Sequence, residues 1–333
     1  MTRSVSMFDV AAHCGVSHQT VSRVVNGTGS VSDKTREKVL AAIAELGYQP
    51  NLAAKALATG RTNTIGVLSF DSTLYGPTAM LHSIQVAARD AGYQVVLNSV
   101  EGLSNASISE GIDALTKVNV DGVIVIAPRS AESDSKVTVS ARVPIVFAET
   151  QNGEPFGMVD IDQPGIGELA TEHLISLGHS QIAHIAGNQN WLAAKRRRSG
   201  YETTLARHSL ASAGIAQGDW TPKSGYKATM DLLATCKFTA IFVANDAMAI
   251  GALRALSEAG VGVPSEVSLV SVDDSAEAEF VQPSLSSVRQ QFEVVGEALL
   301  AKLLQQIEQP SSARPGRQLI PGILTARESA KQI

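Results

Sequence analysis

Residues 10–26 read VAAHCGVSHQTVSRVVN, and their pattern decides what the N-terminal part of the chain is. Ser6 followed by Asp9 makes a capping box ahead of the apolar run Val10, Ala11, Ala12, so a helix is expected to start there. It should stop near Cys14-Gly15, because glycine tolerates the left-handed turn conformation. Ser17 then caps a second helix to about Asn26, with Val21, Val24 and Val25 facing inward and Asn26-Gly27 closing it. In helical spacing Gln19, Ser22 and Arg23 share the outward face. Two short helices meeting at a glycine turn, the second polar on one face, are the pattern of a helix-turn-helix. His18 and Gln19 lie at the end of the second helix that reaches base edges in such docking. Glutamine pairs with adenine, and arginine with guanine O6 and N7. The hydroxyls of Ser17, Thr20 and Ser22, with the backbone N–H groups at the helix start, suit phosphates, and Asn26 completes the candidate DNA-binding set. The competing reading is a small helical cap on an enzyme whose polar residues are merely solvated.

Beyond this stretch, Ser32 caps a third helix to Leu46, with Val39, Leu40, Ile43 and Leu46 at helical spacing and Gly47 and Pro50 as breaks. A short Ala-rich segment, Asn51–Ala58, follows. The net charge of −5 is uneven: residues 1–61 hold seven Lys/Arg and four Asp/Glu, hence +3, and the other 20 and 28 give −8. A basic head on an acidic body suits a polyanionic partner for the head alone.

From Thr64 the grammar changes. Strand-like runs at 65–69, 94–97, 122–126, 145–148, 181–185, 240–243 and 267–272 alternate with helical patterns, for example 78–91, 165–177, 192–208, 247–259 and 292–307. Such alternation implies βαβ units and parallel sheets with helices on both faces. About 270 residues are too many for one such sheet, so two α/β subdomains with a cleft between them are expected.

Several function classes are excluded or disfavoured. No apolar run reaches the ~18–20 residues of a membrane span, and the N-terminus lacks the apolar middle of a signal peptide, so a cytoplasmic protein is expected. The two cysteines, Cys14 and Cys236, read as reduced thiols, and the seven histidines show no metal-ligand spacing. No phosphate-binding loop, nucleophile elbow or dinucleotide fingerprint is present; LSFDSTLYGP after the first strand cannot cradle a pyrophosphate. Neither enzyme activity, a cofactor nor a metal is expected.

VSHQTVSRVVN, then VSDKTREKV and ELGYQPN, strongly resemble the lactose/galactose repressor (LacI/GalR) family, and the similarity continues through LGH (177–179), VANDAMAIGALRAL (243–256) and VSVDDS (270–275). The resemblance implies a headpiece at 1–50, a hinge helix and linker at 51–61, and a periplasmic-binding-protein-like core at 62–330. Its subdomains would be about 62–160 with 292–320, and about 161–291 with 321–330. It implies a homodimer on a palindromic operator, with His18, Gln19 and Arg23 reading bases. Leu57 would be a minor-groove wedge between hinge helices kept close by Ala53, Ala54 and Ala58. Unstacking the central step costs a few kcal/mol, offset by contacts that the bent duplex permits.

For the cleft, the resemblance implies an effector gripped by Arg197, whose five donors suit a polyol or carboxylate. Asn245 and Asp273 would hydrogen-bond vicinal hydroxyls, and Asp246 would cap the next helix. Trp220 would stack on a sugar face, as in galactoside-responsive members, and Glu149 stands where some members have Asp. Phe70, Met80 and Phe292 would form apolar walls, and Arg196 and Arg198 a solvated helix face. The expected ligand is a mono- or disaccharide that releases the operator. Alternatives are a corepressor-type regulator, a sugar-binding protein without DNA function, and an enzyme. No leucine heptads follow residue 328, so a dimer is expected rather than a tetramer.

Overall fold

The computed structural model describes residues 5–49, 56–57, 59–70, 73–101, 104–126, 143–149, 157–309 and 317–333. The chain divides into two compact units, Met1–Thr62 and Asn63–Ile333.

In the first unit, serine and glycine punctuate the helices. α1 (Met7–Cys14) starts at Ser6, whose hydroxyl accepts the Asp9 N–H, while the Asp9 carboxylate accepts the Ser6 N–H at 2.8 Å. This reciprocal pair satisfies donors that a helix start otherwise leaves open. α2 (His18–Asn26) is capped by Ser17 and α3 (Asp33–Leu46) by Ser32. The helices end on Gly15, Gly27 and Gly47, at φ 61°, 65° and 61°. Val10, Ala11, Cys14, Val21, Val24, Val39, Ala42 and Tyr48 close the small core. Leu40, expected in that core, is instead 51% exposed. It lies one residue step round the helix from Val39, and the buried stripe runs through Ala42 and Ile43. Val25 is only partly buried. Ala56 and Leu57 are helical, and the Gly60 N–H donates to the Ala56 carbonyl at 2.8 Å. Residues 51–55, with Ala53 and Ala54, and Ala58 lie outside the described residues.

The second unit holds two six-stranded sheets. β1 (Thr64–Phe70), β2 (Gln94–Val100), β3 (Gly122–Val125), β4 (Ile145–Phe147), β5 (Gly157–Ile161) and β11 (Arg317–Ile320) form the first, in the order β11-β5-β4-β3-β1-β2. β6 (Ile182–Ala186), β7 (Gly214–Gln217), β8 (Ala240–Val243), β9 (Ser268–Asp273), β10 (Ser286–Arg289) and β12 (Ile323–Thr325) form the second, in the order β12-β10-β9-β8-β6-β7. The β10–β12 pairing is antiparallel and the others are parallel. GVIV in β3 and AIFV in β8 are buried throughout, as strands covered on both faces must be.

α4 (Tyr75–Asp90), α5 (Asn105–Lys117) and α10 (Phe292–Glu308) flank the first sheet. α6 (Gln163–Ser176), α7 (Leu192–Arg207), α8 (Pro222–Thr235) and α9 (Asp246–Glu258) belong with the second. α6 and α7 meet backbone to backbone: a Cβ at Gly167 would run into the Arg197 carbonyl, and one at Gly200 into that of Pro164. α8 and α9 meet the same way through Gly225 and Gly251. The chain passes between the sheets three times, from β5 into α6, from β10 into α10, and from β11 into β12. Among the described residues no helix is long and apolar enough to cross a membrane.

Candidate functional site

α2 buries Val21 and Val24 and leaves Gln19, Arg23 and Asn26 exposed, with His18, Thr20 and Ser22 half-buried. The Ser17 hydroxyl accepts the Thr20 N–H at 3.1 Å and lies 2.9 Å from the Thr20 hydroxyl. Asn26 donates to the Ser22 hydroxyl at 3.2 Å. These four side chains therefore help to hold the helix, whereas Arg23 has no acidic partner among the described residues. Leu57 is 90% exposed, too bare for a core position.

In the second unit a cleft opens between the two sheets. Ile126, Glu149, Ile161, Asn245 and Asp273 line it at or just past the carboxyl ends of their strands, where ligands bind in open α/β sheets. Met80 and Phe292 line one wall, and Trp191 and Trp220 also border the cleft. The two indoles lie 5.6 Å apart at 50°. Trp191 borders the cleft, and Phe70 packs edge-on against it with ring centroids 5.7 Å apart.

Arg197 is 4% exposed, and its guanidinium is held by a chain of amides. Nε donates to Gln163 Oε1 at 2.9 Å and Nη1 to the Ala244 carbonyl. Gln163 Nε2 donates to Gln290 Oε1 at 2.9 Å, and Gln290 Nε2 to Asp273 Oδ1 at 2.7 Å. Arginine only donates and a carboxylate only accepts, so both amide orientations are fixed from the ends of the chain. Gly167 and Gly200 permit this arrangement by bringing the α6 backbone, with Gln163 at its start, against the α7 backbone that carries Arg197. The guanidinium carbon also lies 5.9 Å from the centroid of the Trp220 ring. Burial pulls Arg197 below the usual guanidinium range, opposed by Asp273, Glu149 and Asp246.

Asp273 is 6% exposed, and burial, reinforced by the charge of Asp246, pushes its carboxyl up to about 7. Its φ is 115° and that of Trp220 is 78°. Two non-glycine residues in the left-handed half of the map, both in one cleft, are strain of the kind that collects at functional sites. The Trp220 N–H is buried without a partner among the described residues.

Asn245, not Asp246, caps α9: its Oδ1 accepts the Met248 N–H at 3.0 Å, and its Nδ2 donates to the Trp220 carbonyl at 3.2 Å. Asp246 instead ties β9 to β10, accepting from Ser271 at 2.5 Å, Ser287 at 2.8 Å and the Ser275 N–H at 2.7 Å. The sequence reading places the cap one residue too late, because both residue types suit it. Arg196 is not a solvated partner of Arg198. It reaches Asp160 at 3.1 Å, while Arg198 pairs along its own helix with Glu202 at 2.8 Å.

Sequence reasoning missed Gln163, Gln290, Trp191 and Asp160. β5 is not among the strand-like runs of the sequence, so nothing there marks Gln163, two residues past its end, as lying at a cleft. Among the described residues no His/Cys/Asp/Glu group has the arrangement of a metal site.

Residues 6–51 match the sequence family described as "Bacterial regulatory proteins, lacI family", and residues 171–330 a "Periplasmic binding protein-like domain". The chain is 35% identical over 329 residues to the lactose operon repressor of Escherichia coli (strain K12), covering 98% of this chain and 91% of that protein. It is 36% identical over 336 residues to the HTH-type transcriptional regulator CelR of Thermobifida fusca, covering 96% of each. It superimposes on the lac repressor dimer bound to operator and the anti-inducer ONPF with a TM-score of 0.87 at 34% identity, covering 99% of this chain and all of that one. The corresponding TM-score for the CelR–cellobiose complex is 0.72 at 33% identity, covering 98% and 99%.

Proposed function

From the premise that the chain belongs to the lacI family of bacterial regulatory proteins, we propose that it is a homodimeric repressor released from a palindromic operator by a sugar. His18, Gln19 and Arg23 read base edges, and Ser17, Thr20, Ser22 and Asn26 order the helix and its phosphate contacts. Leu57 enters the minor groove. The headpiece ends near residue 50 and the linker near 61, and the protein works in the cytoplasm.

The observation that carries the sugar assignment is the buried line Arg197–Gln163–Gln290–Asp273 beside two indoles. Donors and acceptors alternate along it, as the hydroxyls of a neutral sugar require, and an indole suits the apolar face of a pyranose. Glu149 and Asn245 border the same space, and Met80 and Phe292 supply its apolar wall. A sugar shifts the equilibrium only by its differential affinity for the two arrangements, and ~1–3 kcal/mol of coupling changes operator affinity roughly 5–150-fold.

The test is a thermal-shift screen against mono- and disaccharides, sugar phosphates and purines, followed by gel shifts with and without each hit. A ligand at 100 times its dissociation constant stabilises by ~2.7 kcal/mol. A neutral sugar that shifts the melt, releases the operator and loses both effects in Arg197→Ala is expected. A hit that tightens operator binding makes the protein a corepressor-type regulator. Hits restricted to purines or sugar phosphates overturn the sugar assignment.

A further inference from the structure

Phe8 is 68% exposed, on a unit whose core closes without it. It sits in the first turn of α1, directly before the capping Asp9. Its ring stacks on the imidazole of His18, the first residue of α2, with centroids 4.3 Å apart and planes at 17°. The stack covers one face of the imidazole and leaves its edge, with both nitrogens, uncovered by Phe8. Neither nitrogen has a hydrogen-bond partner among the described residues. A side chain at a helix start otherwise samples several rotamers and loses that freedom when it binds; a ring already stacked has lost it beforehand.

We propose that Phe8 is a positioning residue for DNA recognition: it holds the His18 imidazole edge-on to one base pair, so that the stacked pair, not His18 alone, sets the preference there. The proposal rests on reading α2 as the helix that enters the major groove. Phe8 lies on the neighbouring helix, outside the motif that carries that reading. Its contribution is to orientation, so it is expected to act through His18 at one position and not across the whole duplex.

The experiment uses the full-length protein and an operator obtained by selection from random duplexes. Binding is measured on every single base-pair change within the half-site, for the starting protein, Phe8→Ala, Phe8→Tyr, His18→Ala and the double variant Phe8→Ala/His18→Ala. His18→Ala is expected to flatten the preference at one base pair. Phe8→Ala is expected to flatten the same one by roughly three- to tenfold, the worth of an aromatic pair. Phe8→Tyr, which keeps the ring, should keep the preference, and the double variant should be no flatter than His18→Ala. The proposal is overturned by uniform weakening on all duplexes in Phe8→Ala, which makes Phe8 a backbone contact. It is equally overturned if Phe8→Ala flattens a different base pair, or if His18→Ala changes no preference. Failure to select any duplex is a separate result, which removes the repressor reading itself.

Discussion

Asp160 on β5 lies 3.1 Å from Arg196 on α7, so one buried carboxylate ties a strand of the first sheet to a helix of the second. Arg317 on β11 reaches the same oxygen at 2.7 Å. The Asp160 side chain is 3% exposed and those of the arginines 17% and 33%. Removing the shared anion strands two partly buried cations. Asp160→Ala is therefore expected to cost about 3 kcal/mol in urea unfolding. Arg196→Ala and Arg317→Ala should each cost less, because the other arginine still compensates the carboxylate. Equal losses in all three variants would count against the sharing.

The Asp273 carboxyl titrates at about 7 in the folded protein, against an ordinary value of 3.8. The folded state holds the proton more tightly, so the contribution to stability is complete below the ordinary value and is lost as pH rises through about 7. Asp273→Asn cannot ionise and escapes that loss. Its stability relative to the starting protein should rise by a few kcal/mol between about pH 4 and about pH 8. Parallel unfolding curves for the two proteins across this range would show that Asp273 does not titrate there.

Gly187 is packed against the Trp220 ring, and a Cβ at that position would run into the indole. The ring is rigid and cannot yield as a flexible side chain would. Gly187→Ala should move Trp220, weaken the sugar response roughly tenfold or more, and leave sugar-free operator binding unchanged, because the change lies in the cleft and leaves the exposed face of α2 as it was. Sugar titrations and gel shifts on the same preparation measure both. Unchanged sugar affinity would take Trp220 out of the binding surface.

Gln19 is exposed on α2. Gln19→Ala should relax the preference at one base pair by about 1–3 kcal/mol while the other positions keep theirs. Binding to a panel of operator variants measures this, and an unchanged profile removes Gln19 from the readers.

The headpiece was legible because its boundaries are written in residue types with a local mechanism: Ser6, Ser17 and Ser32 start helices, and Gly15, Gly27 and Gly47 end them. Leu40 misled because a leucine fits the apolar spacing and only the partner helices decide which residue turns inward. In the second unit, apolar strands such as β8 announced themselves, but β10, SSVR, did not. Its buried serines are satisfied by Ser329, Arg327 and Asp246, so it carries no hydrophobic signal. The cleft divided along similar lines. Arg197 and Trp220 stand out in motifs. Gln163 and Gln290 are uncharged residues 127 positions apart, and they acquire a role only when α6 and the end of β10 meet.

The glycine contacts between α6 and α7, and between α8 and α9, have a mechanical consequence. Backbones in direct touch leave no side-chain cushion, so one helix of a pair cannot shear past the other without collision. A pull on the Arg197 fork is therefore not absorbed by helix sliding. Each helix pair is therefore expected to move as one body rather than by sliding within the pair.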